Sequence, residues 1–206
     1  MELFETAVIL AGGKSRRMGF DKEFIRLEDE YLIYKNIEIL KANFKEVMVV
    51  SNNWEFYKDI KDIVLLKDIF FQKGPLSGIH AGLKASNSQY SFFIACDMPN
   101  ISVKYIEYTK QIIYTRQRCF GMFSLKNEEI EPFPGIYNRN TIPKLEKHLL
   151  ENKLSIKSFL DGEDLNLLSE SEISKVTKSQ DIFKNLNTPD DLKDVMNDLK
   201  GVSHDR

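Results

Sequence analysis

The sequence contains few of the residues on which several common kinds of site depend. Its 206 residues include two cysteines, three histidines and one tryptophan, and neither the cysteines nor the histidines have the spacing of a metal site. Lys and Arg together number 29 against 31 for Asp and Glu, so the chain lacks the basic excess typical of nucleic-acid-binding proteins. No apolar run approaches the ~20 residues of a membrane helix. We therefore expect neither a nucleic-acid partner nor a membrane span.

The N-terminal residues also lack the pattern of a secretory signal, in which a cationic stretch precedes an apolar one. The two cysteines, Cys96 and Cys119, lack the spacing of a disulfide framework and suit a reducing compartment. We therefore expect a cytoplasmic protein. The length suits one substantial core, so we expect a single domain over residues 1–206.

Apolar runs with the composition of strands alternate with helical patterns along the chain. The expected strands cover residues 7–10, 47–50, 63–66 and 92–96, and the expected helices cover 32–44, 76–85 and 103–115. In the second half we expect strands over 120–124 and 135–137 on either side of a break at 131–134, and a final helix over 190–199. This alternation predicts an α/β fold, a doubly wound and mostly parallel sheet in a single domain.

The first expected strand is followed by a glycine turn rich in cations. Gly12 and Gly13 follow the strand directly, and Lys14, Arg16, Arg17 and Lys22 come next. Backbone N–H groups of such a turn bind anions and the cations neutralise their charge, so the segment predicts a phosphate site. The glycine spacing is neither that of a dinucleotide fingerprint nor that of a P-loop.

Polar residues follow the other three expected strands at the point where each one ends. They are Ser51 to Asn53, Asp68 and Asp97. Ligands of open α/β sheets bind beyond the carboxyl ends of the strands, so we expect these residues to line one crevice with Gly12 and Gly13. Asp97 could hold Mg²⁺, which proteins usually bind through one or two carboxylates together with substrate phosphates. Taken alone, Asp97 and Asp68 could also be ordinary turn residues.

The glycine turn resembles the signature loop of the nucleotidyltransferases, Leu-Ala-Gly-Gly-x-x-x-Arg-Met-Gly-x-Asp-Lys. Every fixed position is present from Leu10 to Lys22. Within that group the chain is most similar to the molybdenum cofactor guanylyltransferases. The resemblance implies a Rossmann-like fold and a nucleotide-binding loop that includes Leu10, Ala11, Gly12 and Gly13. We expect Arg16 and Lys22 to be catalytic, because their charges can stabilise the α-phosphate and the leaving pyrophosphate.

Further motifs extend the resemblance through the nucleotide half, about residues 1–100. Cys-Asp-Met-Pro resembles the family's Cys-Asp-x-Pro, which implies that Asp97 binds Mg²⁺ and nucleotide and is catalytic. Asp68 corresponds to a second nucleotide-binding aspartate. Gly-Pro-Leu-Ser-Gly resembles Gly-Pro-Leu-x-Gly and places Gly78 at the nucleotide. The family's base or ribose contact falls at Ser51, although Asn53 could make it instead.

The acceptor half, about residues 101–200, resembles the family less closely. The segment 183–192 is similar to Asn-x-Asn-Thr-Pro-Glu-Glu-Leu and implies that Asn185 and Asn187 bind the acceptor. The chain has Glu131-Pro132 where many relatives have His-Pro. A segment that is basic in relatives has only two basic residues here, Lys153 and Lys157. The nucleotide half is therefore better supported than the identity of the acceptor.

The resemblance implies a specific reaction. GMP is transferred from GTP to a molybdopterin-type cofactor with Mg²⁺ present, and pyrophosphate is released. We also expect transient contacts with molybdoenzymes or other cofactor-biosynthesis proteins. Gly12 favours guanine, because the related cytidylyltransferases resemble Leu-Ala-Ala-Gly and glycine leaves more room for a purine. The alternatives are a nucleotidyltransferase for CTP or for a sugar-phosphate acceptor, and a nucleotide-binding module without catalysis.

Overall fold

A computed structural model describes residues 1–11, 19–70, 73–115, 119–177 and 179–202. The strands in these residues are β1 Thr6–Leu10, β2 Arg26–Leu27, β3 Glu30–Tyr31, β4 Glu46–Val50, β5 Val64–Leu66, β6 Tyr90–Ala95, β7 Gly121–Lys126, β8 Glu129–Asn138 and β9 Leu165–Leu168. The α-helices are α1 Leu32–Lys41, α2 Pro75–Ala85, α3 Val103–Thr115, α4 Ile142–Leu150, α5 Ile156–Leu160, α6 Glu170–Ser174, α7 Ser179–Ile182 and α8 Pro189–Val202. Short 3₁₀ helices cover Lys22–Phe24, Trp54–Tyr57 and Arg139–Thr141.

Seven of the strands form one sheet in the order β5-β4-β1-β6-β8-β7-β9. Strands β5, β4, β1 and β6 are parallel to one another, β8 is antiparallel to both of its neighbours, and β9 is parallel to β7. The remaining pair, β2 and β3, forms a small antiparallel ribbon. The predicted α/β fold with a doubly wound, mostly parallel sheet is confirmed.

Each face of the sheet is covered by its own apolar cluster. Ala7 and Ile9 of β1 pack with the residues of α1 and α3, whereas Val8 and Leu10 pack with those of α2 and α4. Successive strand residues point to opposite faces, and a strand buried on both faces must therefore be apolar throughout. In the described residues, no helix is long and apolar enough to cross a membrane.

The register of the parallel strands aligns their carboxyl ends. Leu10 pairs with Val50 and with Ala95, and Val50 pairs with Leu66. The polar residues that follow these strands therefore lie along one edge of the sheet, as expected for Ser51, Asp68 and Asp97. Gly12 and Gly13, the remaining members of that expected group, lie outside the described residues.

The expectation of a break at residues 131–134 was wrong. Strand β8 continues through Pro132 and Pro134, although proline cannot donate a hydrogen bond to a neighbouring strand. The pairing of β7 with β8 shifts between Met122 and Ser124, opposite this proline segment. Irregular pairing at that point accommodates the prolines. Gly135 is required there, because a Cβ atom at this position would lie 2.3 Å from the Pro132 carbonyl oxygen.

Candidate active site

Lys22 brings together two sites that the sequence placed in different halves of the chain. Its ammonium group forms an ion pair with the Asp97 carboxylate. It also donates a hydrogen bond of 2.6 Å to Asn187 Oδ1, a residue 165 positions away in the sequence. Lys22 begins the 3₁₀ helix that follows the glycine turn, Asp97 follows β6, and Asn187 precedes α8. A cation, a carboxylate and an amide thus meet at the carboxyl edge of the sheet.

The turn that carries Asp97 is held from two directions. Asp97 is only 5% exposed, and its backbone carbonyl accepts a hydrogen bond of 2.9 Å from the Leu186 N–H. The next carbonyl, that of Met98, accepts a hydrogen bond of 3.0 Å from Asn36 Nδ2 on α1. These contacts fix the backbone of the turn, so the carboxylate has a defined position relative to Lys22.

The segment before α8 is ordered by Asp191. The N–H groups of Asn187 and Thr188 donate to its carboxylate at 2.9 and 2.8 Å, and these bonds lower the pKa of Asp191 below its usual range. Asn185 lies two residues before Asn187, and its Oδ1 atom is buried without a hydrogen-bond partner among the described residues. Both asparagines therefore belong to one structured segment at the site.

Asp68, Gly78 and Leu10 are neighbours. A Cβ atom at Gly78 would lie 2.8 Å from Leu10 Cδ2 and 3.7 Å from Asp68 Oδ1. Within the described chain, Asp68 Oδ1 is buried and has no hydrogen-bond partner, and burial raises the pKa of this carboxyl. A buried acceptor without a partner is unfavourable unless a ligand satisfies it. These three residues thus lie side by side, and the Asp68 oxygen is an acceptor that a hydroxyl or amino group could satisfy.

Ser51 and Asn53 both bind Glu23, a residue that the sequence reasoning missed. The Ser51 hydroxyl donates to Glu23 Oε2 at 2.8 Å, and the Asn53 amide donates to Glu23 Oε1. Glu23 is 2% exposed. In the sequence it follows Lys22 in a segment full of charges, and no local pattern distinguishes it from a solvated side chain. Only the tertiary structure reveals it.

The remaining predicted site residues contribute less to the described geometry. Ala11 is buried and its N–H donates to the Val50 carbonyl at 3.0 Å, which extends the alignment of β1 and β4 by one residue. Gly12, Gly13 and Arg16 lie outside the described residues. Burial raises the pKa of the Cys96 thiol well above its usual value, so this cysteine is unsuited to be a nucleophile.

A metal ion at this site would depend on few protein ligands. Across the described ranges, no group of three or more His, Cys, Asp or Glu side chains could hold a metal. Asp97 supplies a carboxylate at the mouth of the crevice, and its side chain keeps an exposed fraction of 8%. A single carboxylate fits an ion that takes its other ligands from substrate phosphates and water.

Comparison with known proteins identifies the family to which this chain is similar. The family model described as MobA-like NTP transferase domain matches residues 7–167. A molybdenum cofactor guanylyltransferase from Syntrophotalea carbinolica is 40% identical over 192 residues, which cover 92% of this chain and 90% of the relative. A probable molybdenum cofactor guanylyltransferase from Peptoclostridium acidaminophilum is 38% identical over 196 residues, 93% of this chain and 88% of the relative.

A solved structure gives the same fold. It is the molybdopterin-guanine dinucleotide biosynthesis protein A of Archaeoglobus fulgidus, with a TM-score of 0.83 and 23% sequence identity. The superposition covers 95% of this chain and 99% of that one. The similarity therefore extends over both halves of the sheet.

Proposed function

The chain belongs to the MobA-like NTP transferase family, and we propose that it transfers GMP from GTP to a molybdopterin-type molybdenum cofactor. The products are the guanine dinucleotide form of that cofactor and pyrophosphate. The observation that carries the proposal is the bridge that Lys22 makes between Asp97 of the nucleotide half and Asn187 of the acceptor half. A cation in this position can act both on the phosphates of a nucleotide bound to the first half and on the phosphate of an acceptor bound to the second half.

The proposed reaction is an in-line displacement at the α-phosphorus of GTP. An oxygen of the acceptor's terminal phosphate forms the new bond to this phosphorus, and the bond between the α-phosphorus and the oxygen leading to the β-phosphate breaks. Pyrophosphate leaves with the bonding electrons. A phosphate monoester carries at least one negative charge near neutral pH, so the reaction requires no general base. The remaining task for the protein is positioning and charge stabilisation.

Lys22 and Arg16 are the residues that we assign to this charge stabilisation. Negative charge shifts towards the leaving pyrophosphate as the bond breaks, and a fixed cation lowers the energy of that state. Lys22 is already oriented by its contacts with Asp97 and Asn187. Arg16 lies in the same signature loop as Lys22, next to Arg17, which is the arginine that the family motif fixes. We propose its role from its positive charge within that loop.

Nucleotidyltransferases generally use a divalent metal, and for this chain we propose Mg²⁺ with Asp97 as its protein ligand. The single carboxylate at the crevice mouth fits the preference of Mg²⁺ for one or two carboxylates together with phosphate oxygens. When bound, the ion would neutralise phosphate charge and polarise the α-phosphorus. Asp97 would hold the ion, and Lys22, which contacts Asp97 directly, would act on the phosphates beside it.

The substrate contacts follow from the two halves of the site. We assign Leu10, Ala11, Gly12, Gly13, Asp68 and Gly78 to the nucleotide, and Asn185 and Asn187 to the acceptor. Ser51 and Asn53 were expected to contact the base or ribose. Because their side chains bind Glu23, we propose that they shape the nucleotide site mainly through that carboxylate.

Three further expectations remain proposals. We propose that residues 1–206 form one domain, because strands of both halves share the seven-stranded sheet. We propose a cytoplasmic location, which is supported by the free thiols of Cys96 and Cys119. We also propose transient contacts with molybdoenzymes or other cofactor-biosynthesis proteins, since the product must be passed on.

We expect nucleotide binding to be selective for GTP among the four common triphosphates. The reason is the glycine at position 12, which leaves room for a purine beside the backbone, together with the family relationship. Calorimetric titration with Mg²⁺ should give a dissociation constant for GTP at least about tenfold lower than for the others, a difference of ~1.4 kcal/mol. Equal affinity for CTP or ATP would refute the base assignment.

Replacing Asp68 with asparagine should weaken GTP binding without lowering the melting temperature of the ligand-free protein. Burial raises the pKa of Asp68 because desolvation disfavours a carboxylate, and asparagine introduces no such charge into the folded protein. Loss of a charged acceptor should raise the dissociation constant about tenfold or more.

The matched control is Asp62→Asn, which makes the same charge change at an exposed position just before β5. Calorimetry and thermal unfolding of both variants decide the outcome. If Asp68→Asn melted lower but bound GTP normally, Asp68 would be a structural residue and the proposed nucleotide contact would be wrong.

A further inference from the structure

We infer that Glu23 is a positioning residue that sets the direction of the Lys22 side chain. Glu23 directly follows Lys22, lies outside the signature loop, and is almost completely buried. A buried carboxylate is costly unless hydrogen bonds satisfy its oxygens. The residues that satisfy Glu23 come from a different part of the fold, so its carboxylate ties the helix of Lys22 to that part.

Three donors converge on the Glu23 carboxylate. Oε2 accepts hydrogen bonds of 2.8 Å from the Ser51 hydroxyl and of 2.8 Å from the Tyr57 hydroxyl. Oε1 accepts from the Asn53 amide. Burial and the neighbouring Glu23 carboxylate raise the pKa of Tyr57, so its hydroxyl stays protonated and remains a donor. The segment after β4 and the 3₁₀ helix Trp54–Tyr57 therefore hold the Glu23 carboxylate.

The helix that carries Lys22 and Glu23 cannot hold its own orientation. It contains three residues, Lys22–Phe24, and Asp21 before it makes no side-chain cap. Its backbone hydrogen bonds run from the Phe24 N–H to the Asp21 carbonyl and from the Ile25 N–H to the Lys22 carbonyl. So short a helix depends on tertiary contacts, and neighbouring side chains in it point about 120° apart. Fixing Glu23 on one side therefore fixes the direction of Lys22 on another.

The hydrogen bonds of Glu23, rather than the packing of its neighbour, fix the orientation of the helix that carries Lys22. The next residue, Phe24, packs its ring against Phe56 with 4.9 Å between ring centroids, which anchors the helix but tolerates rotation and sliding. Hydrogen bonds weaken steeply when their geometry is distorted. Three of them on one carboxylate resist rotation of the helix about its axis. Lys22 is thereby aimed at Asp97 and Asn187.

The catalytic meaning of this positioning rests on the proposed function, whereas the positioning itself can be measured without substrate. Lys22 is the group that we expect to contact the phosphates, and Glu23 would act only through it. The readout is therefore the exposure of the Lys22 amine in the ligand-free protein. Failure of guanylyl transfer would overturn the proposed function and leave this measurement intact.

The experiment is brief acylation of ligand-free protein with acetic anhydride, followed by mass-spectrometric quantification of the modified lysines. Lys144 is the internal reference, because its side chain is 27% exposed against 22% for Lys22, and it also forms an ion pair, with Glu163 at 2.6 Å. In Glu23→Ala we expect the acylation rate of Lys22 to rise about fivefold, because all three hydrogen bonds to the carboxylate are lost and each makes a modest net contribution. The Lys144 rate should not change.

Glu23→Gln is the conservative variant. Its amide oxygen can accept from the Ser51 and Tyr57 hydroxyls, and its amide nitrogen can donate to Asn53 if that side chain exchanges its oxygen and nitrogen. We therefore expect the Lys22 rate to stay within about twofold of the wild type.

Two results would overturn the inference. One is an unchanged Lys22 rate in Glu23→Ala, and the other is an equal rise at Lys22 and Lys144, which would mean general loosening of the fold. If Glu23→Ala does not fold, Tyr57→Phe removes one of the three donors with little change in volume. A selective rise of about twofold at Lys22 would then support the inference, and no rise would contradict it.

Discussion

Asp97→Asn is expected to lower guanylyl transfer by about 100-fold or more while leaving the fold intact. The magnitude is that of removing one preorganised electrostatic contact in an active site. Asparagine has nearly the same volume as aspartate, so the tightly packed turn after β6 is preserved. What disappears is the negative charge that pairs with Lys22 and that would hold Mg²⁺. Steady-state turnover and thermal unfolding of the same preparation measure the two effects.

The control for this change is Asp59→Asn, which removes the same charge from an exposed position outside the site. We expect its turnover to match the wild type. If Asp97→Asn also turned over at nearly the wild-type rate, the metal would have to be held elsewhere. If it lost activity only because it unfolded, the melting temperature would reveal that directly.

Lys22→Ala is expected to lower kcat by about 100-fold with only a modest change in the KM for GTP. Charge moves towards the leaving pyrophosphate as the bond to the α-phosphorus breaks, so the cation is needed more in the transition state than in the ground state. Steady-state kinetics at saturating acceptor separate the two parameters. Lys144→Ala is the matched control, since it removes a similarly exposed and ion-paired lysine from α4.

The pattern of the kinetic change distinguishes three roles for Lys22. A fall in kcat identifies a residue that acts on the transition state, and a rise in KM alone identifies one that anchors the ground-state phosphates. An unchanged kcat/KM would make Lys22 a solvated charge and would contradict both the catalytic assignment and the meaning of its contact with Asn187.

Much of the fold could be predicted because its signals are local. Helix α3 spans Val103–Thr115 as its apolar spacing predicts, and α2 begins at Pro75 after Gly74 as the turn residues predict. The crevice followed from the same reasoning, because residues after parallel strands must lie at one edge. The course of β8 through Pro132 and Pro134 was not predictable in this way, since the shift that accommodates the prolines belongs to its partner β7.

The sequence motifs predicted individual residues of the site but not how those residues contact one another. The motifs identified Lys22 and Asp97 but not their contact with each other, and they did not reveal that Asn187 reaches the same cation. Glu23 carries no motif, and its partners lie 28, 30 and 34 positions along the chain. Such a cluster depends on how β4 and the helix of Lys22 pack, and pairing at that distance leaves no periodic trace in one sequence.

The most direct test of guanylyl transfer is product formation by the purified protein with Mg²⁺, a molybdopterin-type cofactor and each of the four triphosphates in turn. With GTP we expect one pyrophosphate released for each guanine dinucleotide cofactor formed, and with CTP a much lower rate. Pyrophosphate release that is as fast with CTP, or absence of the dinucleotide product when GTP and the cofactor are both present, would contradict the proposed function.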